Sequence, residues 1–107
     1  MSWSEEAKEA LRLGQKVEVK PRGHSMTGRI QDGALVTLEP CRTEDLAVGD
    51  IVLVRIQGKR FSHVVLHSVL SIVAGRFLIG SHRGRVDGWV DWGDIYGVVT
   101  EVEAQDL

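Results

Sequence analysis

The sequence predicts a mainly β fold: a coiled or barrel-like sheet of about seven short strands with one short N-terminal helix, in a single domain over residues 1–107. Three observations predict it. Apolar residues recur at helical spacing only before Gly14, and from Gln15 onward the spacing falls to two. Twelve glycines punctuate the chain, many of them at the ends of apolar runs. With 107 residues, 43% of them apolar, the chain is large enough to bury one core without disulfide staples, and no linker or repeat divides it.

The helix occupies residues 1–14. Ser2, with Glu5 three residues on, forms a capping-box pattern; Trp3, Ala7, Ala10 and Leu11 share one face, and Gly14 supplies a left-handed stop. So narrow a stripe suits a helix that covers a sheet. Val17 to Lys20 reads as a strand ending at Pro21, and Leu35 to Glu39 as one ending at Pro40. Ile51 to Ile56, introduced by Val48-Gly49-Asp50, is apolar at nearly every position, as a strand buried on both faces requires. Arg60 to Ser71 reads as a long strand, Gly75 as a hairpin turn into Arg76 to Ile79, and Ile95 to Val102 as the last strand. The acidic end that begins at Glu101 is expected to fray over residues 103–107.

Composition excludes several function classes. A net charge of −2 and a pI near 6.1 give no overall attraction to nucleic acid or to an anionic membrane. Arg76, His82, Arg83 and Arg85 near Trp89 and Trp92 read as a solvated loop with tryptophans capping the sheet, and no nucleic-acid partner is expected. Cys41 is the single cysteine, so no intrachain disulfide forms and a reducing compartment is favoured. The acidic start lacks the positive and apolar regions of a secretory signal. The most apolar stretch, Val64 to Ala74, is broken by His67, Ser68 and Ser71 and falls short of the roughly 20 residues of a membrane-spanning helix. A cytoplasmic protein without a membrane partner is expected. No zinc-ligand spacing and no phosphate loop is present, and neither metal nor cofactor is expected.

The candidate chemistry begins at Arg22-Gly23-His24-Ser25-Met26-Thr27-Gly28, where a serine flanked by glycines lies between two strand-like runs. Such a serine reads as a presented hydroxyl. To act as a nucleophile it needs a base within hydrogen-bond reach and donors for the oxyanion that forms. His24 adjoins Ser25 and on an extended segment points the opposite way. On the strand Arg60 to Ser71, alternation puts Phe61, His63 and Val65 on one face, which makes His63 a candidate base; His67 shares that parity.

Gly23-His24-Ser25-Met26, then Ile30-Gln31-Asp32-Gly33-Ala34-Leu35-Val36, then Val48-Gly49-Asp50-Ile51-Val52, then Ser62-His63-Val64-Val65, resemble the ordered motif set of the serine peptidase superfamily of LexA-type repressors and type I signal peptidases. The likeness covers about Val19 to Val102 and is greatest to a soluble member with a Ser-His site of the endoplasmic-reticulum type. It implies a LexA/signal-peptidase-like sheet with Ser25 as nucleophile and His63 as general base, Lys59 being the alternative. It further implies Asp87, seven residues after Gly80, as the acid that orients the histidine. Asp91 and Asp94 are nearby substitutes, and an ordinary Asp87-Gly88 turn is the structural alternative. The chain departs from the family pattern at Gly28, where proline is common, and at Ala34 and Ser81, where aspartates are usual.

The implied activity is that of a small serine endopeptidase that hydrolyses a peptide bond through an acyl-serine intermediate. Its substrate would be a peptide or protein in extended conformation. The alternative is a catalytically inactive β-module of the same fold that binds an extended peptide or a partner protein. Self-cleavage is not expected, because the sole Ala-Gly pair, Ala74-Gly75, falls in a hairpin. An exposed Val/Ile-rich edge strand would permit a homodimer through the sheet.

Overall fold

The computed structural model describes residues 2–21, 30, 33–81 and 84–103. Ser2 precedes helix α1 (Trp3–Arg12) in extended conformation, and its hydroxyl accepts the Glu5 N–H at 3.2 Å, one half of the expected capping box. At the other end Gly14 takes a φ of 77°. The Gly14 N–H then reaches the Leu11 carbonyl at 3.0 Å and the Gln15 N–H reaches the Ala10 carbonyl at 2.9 Å. These two bonds form a Schellman stop, which a residue without Cβ accommodates at no steric cost. Ala7 and Leu11 bury their side chains against the sheet with Trp3 beside them, so the narrow stripe does what its width implies.

Seven strands follow among the described residues: β1 (Val17–Val19), β2 (Leu35–Glu39), β3 (Ile51–Gln57), β4 (Ser62–Val73), β5 (Arg76–Gly80), β6 (Val86–Val90) and β7 (Ile95–Glu103). They make one antiparallel sheet in the order β1-β2-β7-β3-β4-β5-β6. β1 and β6 are its edges, so the sheet is open and the barrel-like closure is not realised. β6 lies where the sequence suggests no more than an Asp-Gly turn. β7 runs on to Glu103 because Glu101, Val102 and Glu103 pair with Thr37, Val36 and Leu35; pairing across the sheet overrides the charge that suggested fraying. Residues 104–107 lie outside the described residues.

β3 and β4 together divide the core. Leu53 on β3 and Leu66 on β4 lie on the helix side with Val36, Leu38 and Leu11, while Val52 and Val54 lie on the other side with Val69, Phe77 and Ile79. The unbroken apolar run of β3 is thus buried on both faces, as predicted. At four places the ladders slip by one residue, leaving Thr100, Tyr96, Leu70 and Asp87 as bulges. Bulges bend a strand and increase its twist, and here they accompany a sheet whose edge strand β6 comes back into contact with β3. Ala74 and Gly75, with φ of 51° and 76°, form the two-residue turn between β4 and β5, so the Ala-Gly pair is not extended.

Cys41 is half-buried against the second cluster. Burial first, and then the charges of Asp45 and Asp50, push its thiol from 9.0 up to about 11. The folded chain therefore keeps a proton that the unfolded chain releases, and stability is fully present below pH 9 and declines as pH rises towards 11. Denaturant titrations of the wild type and of Cys41→Ala across this window are expected to show the alanine variant losing less stability. At pH 8 the native thiol should react with a disulfide reagent far more slowly than the same thiol in guanidinium.

Candidate active site

β4 brings the candidate chemistry to the second core face. Its register against β3 sets Ser62 to Ser68 opposite Gln57 to Ile51 without interruption, so His63 faces Ile56, Val65 faces Val54 and His67 faces Val52. These three residues of β4 share one side of the strand. Burial grades steeply along that side: the His63 side chain is exposed, Val65 is partly buried, and the His67 side chain is only 10% exposed. His63 meets the ring of Phe61, with centroids 6.4 Å apart, near the tip of the β3–β4 hairpin.

Asp87 comes from the opposite edge of the sheet. As the bulged residue of β6, it sits between the pairs Ile79–Gly88 and Gly80–Val86. Its carboxylate, 17% exposed, reaches past β5 to β4 and accepts a hydrogen bond at 2.5 Å from Nδ1 of His67. Gly80, the β5 partner of Ser68, turns its bare side to the opposite face of the sheet from His67. A Cβ there would collide with Cδ1 of Leu70, the bulged residue of β4, and would lie 2.6 Å from the Arg85 carbonyl oxygen just before β6.

The acid predicted to orient His63 therefore orients His67. Four residues of strand separate the two histidines by roughly 13 Å, so a carboxylate bonded to one cannot reach the other. A carboxylate offers only acceptors, so Nδ1 of His67 is the donor and in the neutral ring the lone pair is on Nε2. Nε2 is buried and, among the described residues, has no hydrogen-bond partner. An imidazole held in this tautomer can take a proton at Nε2, while Asp87 stabilises the resulting cation.

The other candidates are engaged elsewhere or lie at the surface. Asp94 accepts both Nη2 (2.8 Å) and Nε (3.2 Å) of Arg55, and Asp91 accepts Nε of Arg76 at 3.1 Å. These two aspartates also cap the short turn Trp92–Asp94, so neither substitutes for Asp87. Lys59 is exposed on the hairpin tip, where the Gly58 N–H bonds the Phe61 carbonyl at 2.8 Å. Ser81 closes the β5–β6 connection: its hydroxyl accepts the Arg85 N–H at 3.2 Å and its own N–H bonds the Arg85 carbonyl at 2.8 Å. Ala34, the other departure from the family pattern, is buried on the helix side.

Ser25, with His24, Gly28 and the rest of residues 22–29, lies outside the described residues, as does His82. Among the described residues no group of three or more His, Cys, Asp or Glu side chains is placed to hold a metal ion, and no helix is long and apolar enough to cross a membrane. No protein-family model, curated protein or solved structure matches the chain. His67 was legible only as a residue sharing the parity of His63. Its place near the middle of the strand, followed by Ser68 and Val69 rather than by a turn, was the available signal for the deeper histidine.

Proposed function

We propose that this chain is a serine peptidase-like hydrolase in which Ser25 is the nucleophile, His67 the general base and Asp87 the residue that orients it. The observation that carries the proposal is the His67–Asp87 pair, bonded through Nδ1 with Nε2 buried and unpartnered among the described residues. A buried polar atom without a partner costs about 1–3 kcal/mol, and a proton-transfer role gives a reason for retaining one. The sequence supplies a hydroxyl for that lone pair in Gly23-His24-Ser25-Met26, the motif that resembles the superfamily's nucleophile.

In this reading Ser25 Oγ attacks a peptide carbonyl carbon while Nε2 takes the hydroxyl proton. The C–N bond then breaks, His67 returns the proton to the leaving amine, and water hydrolyses the acyl-serine by the same route in reverse. Asp87 remains an acceptor throughout. A fluorophosphonate probe is expected to label the wild type and His63→Ala but neither Ser25→Ala nor His67→Ala. Folded wild type that resists labelling would instead indicate a silent peptide-binding module.

A further inference from the structure

Charge is distributed unevenly along the chain. Residues 51–86 hold six Lys and Arg and no Asp or Glu, whereas all fifteen acidic residues lie outside that span. Within it, Arg55 and Arg76 are held by Asp94 and Asp91, but among the described residues neither Lys59 nor Arg60 has an ion-pair partner. Both are exposed on the tip of the β3–β4 hairpin, followed at once by Phe61, 69% exposed. From this tip the side of β4 that carries Phe61, His63 and Val65 leads to His67, flanked across the ladder by the partly buried Ile56. The track is cationic at its outer end, apolar in its middle, and meets the His67–Asp87 pair at its inner end.

We propose that the β3–β4 tip is the substrate-docking surface of this site, and that it selects extended peptides bearing acidic residues some six to eight positions from the reacting bond. The inference rests on the hydrolase reading given above. The spacing follows from geometry: Phe61 lies roughly 20 Å from His67 along the strand, Arg60 and Lys59 follow in the turn just beyond it, and an extended peptide advances about 3.3 Å per residue. The track favours a peptide over a lipid surface. It continues inward to the histidine, it offers one exposed ring rather than an apolar plane, and the fifteen acidic residues elsewhere oppose approach to an anionic bilayer.

The test uses a fluorescent peptide of about a dozen residues with a β-branched core and a glutamate-rich end, together with its glutamine and lysine counterparts. Binding to the full chain carrying Ser25→Ala, followed by anisotropy, is expected to favour the glutamate peptide over the glutamine one by about fivefold, with the difference shrinking as salt is raised. Adding Lys59→Glu and Arg60→Glu should reverse the order, and Phe61→Ser should weaken all three peptides alike. Fluorophosphonate labelling of the wild type, a small probe that carries no peptide, reports separately on the hydrolase site. Labelling retained with no charge preference among the peptides overturns the docking assignment and leaves the hydrolase reading standing. Charge-selective binding without labelling overturns the hydrolase reading and retains the tip as a peptide surface. Binding to phosphatidylserine vesicles in place of all three peptides overturns the assignment in favour of a membrane contact.

Discussion

Replacing His67 by alanine is expected to lower the rate of Ser25 acylation on the order of 10⁴-fold or more, and Asp87→Asn by a comparable factor, whereas His63→Ala should stay within about twofold of wild type. The two large effects have one origin. The amide introduced by Asp87→Asn can donate to Nδ1, which favours the tautomer with its proton on Nε2, where a base needs a lone pair. His67 and Asp87 act as one unit, so the double variant should lose little more than either single one. The measurement is the second-order rate constant for fluorophosphonate labelling, with circular dichroism confirming that each variant is folded. A large loss in His63→Ala alongside near-normal His67→Ala would sink the assignment of the base.

Gly80→Ala is expected to destabilise the fold by about 1–3 kcal/mol and to slow acylation by about 10²-fold. A Cβ at this position would meet two neighbours of different kinds. The Leu70 side chain can rotate aside; the Arg85 carbonyl is backbone and is already bonded to the Ser81 N–H. The entry to β6 must therefore move, and Asp87 lies two residues further on. Thermal unfolding together with the labelling rate separates the two effects. Gly93→Ala is the control, because a Cβ there meets nothing within 4 Å, and its effect should stay within about 0.5 kcal/mol. Wild-type behaviour of Gly80→Ala in both measurements would show that the β5–β6 crossing does not position Asp87.

Much of the fold was legible because its signals are local. Ser2 and Gly14 bound the helix through bonds made within a few residues of themselves, and the apolar run of β3 reflects burial on two faces wherever its neighbours come from. β6 was not legible. Arg85-Val86-Asp87-Gly88-Trp89 contains a common turn pair and a bulge that breaks alternation, and its pairing with β5 makes it a strand. The expected barrel-like closure failed for a similar reason: strand number and alternation do not state which edges meet, and β1 and β6 do not.

The candidate site divides along the same line. The sequence by itself determined the helix, the strands that alternate or run continuously apolar, and the residue types available for chemistry: a glycine-flanked serine, histidines on one side of a long strand, and an aspartate after Gly80. It did not determine which histidine the aspartate serves. Side-chain direction repeats every two residues, so His63 and His67 are equivalent to any reading of periodicity. That equivalence is broken only by contacts between residues far apart in the chain. The β3–β4 register leaves His63 near the tip and His67 over the core, and the bulge at Asp87 carries the carboxylate across β5 to the deeper ring.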